Sequence, residues 1–307
     1  MEKKWPQLSI CIPTYNRKVY LKQCIESIVN QKWFNKEDVE IVISDNASND
    51  NTTDLIREYQ NKYQNIRYFR NKKNIWGMKN ILNITELAKW EYIWLMWDDD
   101  QIKNWWLDII INTIKKHNDI VLLHTNMIDW LYNNINNIII KDWITYFKDL
   151  LQHNKASKIL IFLTYISTLV FKKENFIQYL NEFRENFPHK LEESYSHFYI
   201  GIRCINKQNI ALLGDIIIWG TGDRTDISYW RNNSKKWYDV VITNGINKIY
   251  EDHIFLDSIG ITKKEVDKYK YNFIKIYYMV KLSCFMKRIW IYKPMVYLFK
   301  KFLFKYI

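Results

Sequence analysis

The sequence predicts an α/β fold built on a mostly parallel sheet with helices on both faces. Two observations carry this. Through the N-terminal third, short apolar runs alternate with stretches of helical periodicity, and the runs end in loops rich in Asp, Asn and Thr. Strands alternating with helices of this length require right-handed crossovers and a sheet covered on both sides. A third observation gives the sheet a purpose. In Glu91-Tyr-Ile-Trp-Leu-Met-Trp-Asp-Asp-Asp100 an apolar run stops abruptly in three carboxylates, at the strand end where open α/β sheets place their ligand crevices.

The first strand is expected over Leu8 to Ile12 and runs into the loop Pro13-Thr14-Tyr15-Asn16-Arg17, where Pro fixes φ and Asn tolerates a turn. From Val19 to Asn30 the apolar positions Leu21, Cys24, Ile25, Ile28 and Val29 recur with helical spacing. Val39 to Ile43 reads as the second strand, and Ser44 to Asp50 as a second carboxylate loop. A helix led by Thr52 and Thr53 then runs to Tyr63, carrying Leu55, Ile56 and Tyr59 inward. Ile66 to Phe69, Met78 to Ala88 and Glu91 to Met96 complete the alternation as strand, helix and strand. In a parallel sheet the loops after Ile12, Ile43 and Met96 open on one edge, so Thr14, Asn16, Asp45, Asn46 and Asp98 to Asp100 are expected to share a crevice.

Further along, Leu107 to His117 reads as a helix, Asp119 to Leu123 and Ile166 to Phe171 as strands, Lys173 to Glu185 and Tyr195 to Asn206 as helices, and Ile210 to Ile218 as strand. The segment from Asn126 to Asn154 is Asn/Ile-rich and has no readable period. From Lys263 to Ile307 aromatic residues interleave with twelve Lys or Arg and only two acids, the mark of a basic-aromatic helical extension.

The chain has 307 residues, 48% hydrophobic and 25% charged, which is globular rather than disordered or fibrous. A net charge of +12 points to an anionic partner. Cys11, Cys24, Cys204 and Cys284 lie far apart, without zinc-site spacing, and read as reduced thiols of a cytosolic protein. The opening residues lack the apolar core of a secretory signal, and the longest charge-free apolar run, Ile159 to Phe171, falls short of the roughly 18–20 residues of a spanning helix.

Three adjacent carboxylates repel one another, and a hard divalent cation, Mg2+ or Mn2+, relieves that repulsion while sharing its charge with substrate phosphates. The plain alternative is a solvated turn after a strand. The motifs Ser9-Ile-Cys-Ile-Pro-Thr-Tyr-Asn-Arg17, Val39-Glu-Ile-Val-Ile-Ser-Asp-Asn-Ala-Ser48 and Asp98-Asp-Asp100, in this order, tip the balance: they resemble glycosyltransferase family 2, in particular its abequosyltransferase-like O-antigen branch. The resemblance implies a GT-A fold over residues 1–260, with a nucleotide-sugar half to about 110, an acceptor half beyond it, and a separate tail over 261–307. It implies that Pro13, Thr14, Tyr15, Asn16, Arg17, Asp45, Asn46, Lys79, Asp98 and Asp99 line the nucleotide-sugar pocket, and that Asp99 and Asp100 hold the metal. Where related enzymes carry their base, six residues before an Arg, counting back from Arg203 lands on Ser196-His197. His197 is therefore the candidate base, with Glu192 and Glu193 in reserve; its unperturbed pKa suits the task.

The activity so implied is a metal-dependent, inverting sugar transfer from a nucleotide-sugar donor to a lipid-linked or surface-polysaccharide acceptor. It would take place in the cytoplasm, on the inner face of the plasma membrane if the tail lies on anionic lipid. A nucleotidyltransferase would open with a Gly-rich phosphate loop, which Pro13-Thr14-Tyr15-Asn16 lacks. A non-enzymatic nucleotide- or membrane-surface-binding protein of the same fold is the other reading. No nucleic-acid partner is expected, because the sheet-edge loops are acidic.

Composition holds one more signal. The chain has 7 Gly and 14 Trp, whereas about 7% glycine would give roughly three times as many. In the resemblance, Trp76, Trp90 and Trp97 stand where family segments carry glycine; Trp33 and Trp105 are further candidates. A left-handed backbone is expected at the first three, and UGA codons read as glycine would produce the pattern.

Overall fold

The computed structural model describes residues 8–34, 38–117, 119–126, 138–140, 166–186, 196–205, 208–216 and 218–220, together with the single positions 188, 262 and 264. The chain divides into two compact units, Met1–Trp143 with Ile161–Thr225, and Ile144–Leu160 with Asp226–Ile307. All but positions 262 and 264 of the described residues belong to the first.

The N-terminal alternation is as expected, with β1, β2 and β3 extended further into their loops and β4 one residue shorter at each end than the expected Glu91 to Met96. In order come β1 (Leu8–Thr14), α1 (Lys18–Val29), β2 (Val39–Asp45), α2 (Thr52–Gln60), β3 (Ile66–Arg70), α3 (Gly77–Leu87) and β4 (Tyr92–Leu95). β5 (Asp100–Ile102), α4 (Trp106–Lys116), β6 (Ile120–Asn126) and β7 (Ile138–Ile140) follow. β8 (Leu169–Lys172), α5 (Lys173–Asn186), α6 (Ser196–Ile205), β9 (Asn209–Ile216) and β10 (Ile218–Gly220) complete the set. The strand expected from Ile166 begins only at Leu169, because Ile166–Thr168 forms a turn of 3-10 helix.

Eight strands form one sheet in the order β3-β2-β1-β4-β8-β6-β9-β7, and β5 pairs with β10 in a separate ribbon. β1 is parallel to both β2 and β4, and β2 to β3. Beyond β4 the sheet is mixed: β8 runs antiparallel between β4 and β6, and β7 is antiparallel to β9. The register brings Thr14 beside Asp45 and Asp45 beside Arg70, so three consecutive strands end at one level.

Side chains alternate across the sheet. Leu8, Ile10 and Ile12 of β1, Val39, Ile41 and Ile43 of β2, and Tyr92, Trp94 and Met96 around β4 join one core with Leu21, Cys24, Ile25 and Ile28 of α1, Leu55 and Ile56 of α2, and Leu107, Ile110, Ile111 and Ile114 of α4. α3 packs against β1, β2 and β4 and also meets α5. Each fully buried Leu or Ile contributes about 1.5–3 kcal/mol. The buried polar residues on the strands are satisfied: Ser9 Oγ donates to Glu40 Oε1 at 2.6 Å, the same oxygen accepts the Lys89 amide at 2.7 Å, and Arg67 Nη1 lies 3.3 Å from Glu40 Oε2.

Asp50 organises two helix starts. Its carboxylate accepts the Lys18 amide at the head of α1 at 2.8 Å, and the Thr52 hydroxyl at 2.6 Å and amide at 3.3 Å at the head of α2. Burial alone would raise its pKa, but the bonds from Thr52 and Lys18 outweigh it and hold the carboxyl below the usual range. A lowered folded pKa means that this stabilisation is present above the ordinary carboxylate pKa and is lost as pH falls through the folded value. Asp50→Ala is expected to cost about 1–2 kcal/mol at neutral pH. In urea melts the gap between variant and wild type should shrink near pH 3.

Positive φ occurs at Asn16, Ala47, Asn51, Trp76 and Trp105 among the described non-glycine residues. The left-handed backbone expected at Trp90 and Trp97 is therefore not found, since the chain passes both in ordinary conformations. Cys11, Cys24 and Cys204 are buried free thiols, and Cys284 lies outside the described residues. No described helix is long and apolar enough to cross a membrane.

Candidate active site

The loops leaving β1, β2 and β4 meet at one edge of the sheet because those strands are parallel and in register. Backbone bonds continue the ladder into the loops, with the Asn46 amide donating to Thr14 O and the Asn71 amide to Asp45 O, both at 2.9 Å. Asn16, at φ 54°, ties the first two loops together: its amide donates to Ser48 Oγ at 2.8 Å, and its side-chain oxygen accepts the Asn49 amide at 2.8 Å. Pro13 and Thr14 are buried beneath, while Tyr15 is exposed above.

The aspartate triplet lies at this edge and is almost wholly buried. Thr14 Oγ1 donates to Asp98 Oδ2 at 2.7 Å. Arg17, the residue just ahead of α1, places Nη2 at 2.6 Å from Asp99 Oδ2 and Nε at 3.2 Å from Asp98 Oδ1. Its guanidinium also lies over the Tyr20 ring, 5.0 Å from the centroid. Asp100 opens β5, and its Oδ2 accepts the Ser167 hydroxyl at 2.5 Å. Ser167 is a hub: its Oγ accepts the Trp97 amide at 2.9 Å, and its carbonyl accepts the Trp94 indole N–H at 2.8 Å.

Protein groups thus meet part of the charge repulsion that the sequence assigns to a cation. A strong anionic field remains. Burial pushes the Asp98 carboxyl up to about 7; Arg17 and the Thr14 bond pull it back, and Asp99 and Asp100 raise it further. The same field reaches Cys24, whose thiol is raised first by burial and then by Asp98, Asp100 and Asp99.

Beside the triplet lies a hydrogen-bonding wall in which an ion pair, Asp45 with Arg70, is joined by amide and hydroxyl groups. Asp45 Oδ1 accepts the Ser48 amide at 2.8 Å, as expected of a carboxylate that closes its own turn. Its Oδ2 accepts the Tyr68 hydroxyl at 2.6 Å and lies 3.5 Å from Arg70 Nε. Burial, with the bond to Asp45, pushes the Tyr68 phenol up to about 12. Asn46 Oδ1 accepts from Asn71 Nδ2 and from the Ile75 amide, and its Nδ2 donates to Asn74 at 2.9 Å. Asn80 joins this ladder through Ser44 and Asn71.

The structure therefore brings Thr14, Arg17, Asn16, Asp45, Asn46 and Asp98 to Asp100 together. Lys79 is exposed in the first turn of α3. His197 is buried in the first turn of α6, a helix packed against α5 and β6. Glu192 and Glu193 lie outside the described residues. Sequence reasoning missed Tyr68, Arg70, Asn71, Asn74, Asn80 and Ser167; the run of Asn and basic residues from Arg70 to Asn74 was the available signal.

Among the described residues no group of three or more His, Cys, Asp or Glu forms a metal cage. A Mg2+-type site needs less than that. Such a cation takes one or two carboxylates and completes its octahedron with water and substrate phosphates. The hard oxygen donors of Asp99 and Asp100 fit this requirement.

The family model of glycosyl transferase family 2 matches residues 9–175, more than half of the chain and the whole of this sheet edge. The chain belongs to glycosyl transferase family 2. Similar relatives include an abequosyltransferase of Salmonella typhimurium, 42% identical over 116 residues, or 38% of this chain and 34% of that protein. A GalNAc(5)-diNAcBac-PP-undecaprenol beta-1,3-glucosyltransferase of Campylobacter jejuni is 37% identical over 100 residues, 32% of this chain and 31% of that protein. The matches span about a third of these relatives' length. Among solved structures, S. aureus TarS 1-349 superposes with a TM-score of 0.60 at 18% identity, covering 87% of this chain and 70% of that one. A mannosyltransferase from Pyrobaculum calidifontis, in complex with GDP-Man and Mn2+, gives 0.53 at 13% identity over 75% and 61%. The fold of this family 2 chain is GT-A.

Proposed function

We propose that the chain is a metal-dependent, inverting glycosyltransferase that moves a sugar from a nucleotide-sugar donor to a lipid-linked or surface-polysaccharide acceptor. The observation that carries this reading is the buried Asp98-Asp99-Asp100 triplet, tied through Thr14 and Arg17 to the first loop of the sheet. Family membership supplies the class of reaction.

In this reading the nucleoside lies across the loops after β1 and β2, against the Asn46 ladder and the turn closed by Asp45. Asp99 and Asp100 hold Mg2+ or Mn2+, which when bound acts as a Lewis acid and neutralises charge on the leaving diphosphate. Pro13 and Tyr15 shape the pocket, and Lys79 lies at its rim. His197 takes the acceptor hydroxyl proton as the new bond forms at the anomeric carbon and the bond to the diphosphate breaks on the opposite face. The mannosyltransferase neighbour's complex with GDP-Man and Mn2+ supports such a donor and metal. The undecaprenol-linked substrate in one relative's name supports a lipid-linked acceptor.

In this proposal the catalytic domain spans 1–260, a boundary that comes from the resemblance; the compact unit that carries the aspartate triplet is Met1–Trp143 with Ile161–Thr225. The tail over 263–307, which apart from position 264 lies outside the described residues, rests on an anionic cytoplasmic leaflet and presents the site to that acceptor. Release of nucleoside diphosphate from a panel of nucleotide sugars, with Mn2+ and with chelator, tests the enzymatic reading. Metal-dependent release from one donor is expected; no release from any donor, or equal release in chelator, would contradict it.

A further inference from the structure

Trp76 is the N-cap of α3 and has φ 73° and ψ 150°. This backbone region is essentially reserved for glycine, because a Cβ collides with its own chain there. Trp105, the N-cap of α4, has φ 74° and ψ −1°, a left-handed conformation that a bulky residue avoids. Hydrogen bonds pin both backbones on each side. The Trp76 amide donates to Asn74 Oδ1 at 2.9 Å and its carbonyl accepts the Asn80 amide at 3.1 Å; the Trp105 amide donates to Gln31 Oε1 at 3.0 Å and its carbonyl accepts the Ile109 amide at 3.3 Å. The strain therefore cannot relax without breaking the helix starts.

Packing does not offset that strain. The two tryptophan residues are 73% and 67% exposed, so little apolar burial is gained by having them. Gly77, next to Trp76, shows the reverse mismatch: its φ lies outside the left-handed range and an added Cβ would meet nothing within 4 Å. Trp94 shows what a fitted tryptophan looks like in this fold, fully buried with its N–H bonded to Ser167 O. Trp90 is intermediate, with an ordinary backbone but a buried indole N–H that finds no acceptor.

We propose that positions 76 and 105 are glycine in the functional protein, encoded by UGA and read as glycine in the source cell, whereas Trp94 is a true tryptophan encoded by UGG. The excess of 14 Trp over 7 Gly is the compositional trace of that decoding. The consequence reaches the site. Position 76 ends the Asn71 to Ile75 loop that holds Asn46, and position 105 is fastened by Gln31, whose amide also donates to Lys103 O just after β5.

Two measurements decide it. In the gene, UGA at 76 and 105 with UGG at 94 is expected; UGG at 76 or at 105 overturns the proposal. In thermal melts of the purified chain, W76G and W105G should each raise the midpoint by at least about 2–4 °C. W76A and W105A remove the indole but keep the Cβ, and should recover little of the gain. An equal gain from alanine, or none from glycine, overturns the proposal, because left-handed backbone strain would then not be the cause.

Discussion

Asp99→Asn is expected to lower sugar transfer by about 10³-fold or more, the equivalent of about 4 kcal/mol of lost transition-state stabilisation, while the thermal midpoint stays within about a degree or two. The substitution is nearly isosteric and leaves an oxygen for the Arg17 Nη2 that now bonds the Asp99 carboxylate at 2.6 Å. What disappears is the anionic charge that a hard cation needs. Asp100→Asn should act in the same direction but carries a structural cost as well, because its Oδ2 accepts the Ser167 hydroxyl that also receives the Trp97 amide. Steady-state kinetics beside melting curves separates the two effects. Full activity in both variants would remove the metal from the account.

The second large effect is at His197, where alanine should reduce turnover by about 10²-fold, the usual range for loss of a general base, with donor affinity nearly unchanged. A rise in donor KM with kcat intact would instead show that the side chain helps build the pocket. His197 is buried in the first turn of α6, beside the buried Ser196. Truncation therefore also risks packing, so His197→Gln is the companion variant. If neither change slows turnover while Glu192→Gln or Glu193→Gln stops it, the proton goes to a glutamate.

The N-terminal half of the fold was legible because β1, β2 and β4 are largely apolar, buried runs, β3 (Ile66-Arg-Tyr-Phe-Arg70) keeps a short apolar-aromatic pattern between its arginines, and each helix repeats its apolar residues along one face. The convergence of Thr14, Asp45 and Asp98 followed from parallel connection alone, and the register confirms it. The antiparallel insertion of β8 between β4 and β6 was not legible, because a buried strand presents the same side chains in either direction. Nor was Ser167: it lies 67 residues from Asp100, to which it donates, and nothing local marks a serine in an apolar run as that aspartate's partner. The Asn ladder from Asn46 to Asn80 reads in sequence as turn chemistry, and only its contacts show it to be a wall. Glycine scarcity was visible in composition, but only backbone angles separate Trp76 and Trp105 from Trp90 and Trp97.

Calorimetric titration of the full chain with UDP-, GDP-, dTDP- and CDP-sugars, each with Mn2+ and with chelator, tests most directly whether this sheet edge is a donor site. The expected result is one nucleotide class binding in the micromolar range, only with metal, and losing that affinity in Asp99→Asn. Binding that is indifferent to both metal and Asp99, or no binding of any donor, would contradict the assignment of the site.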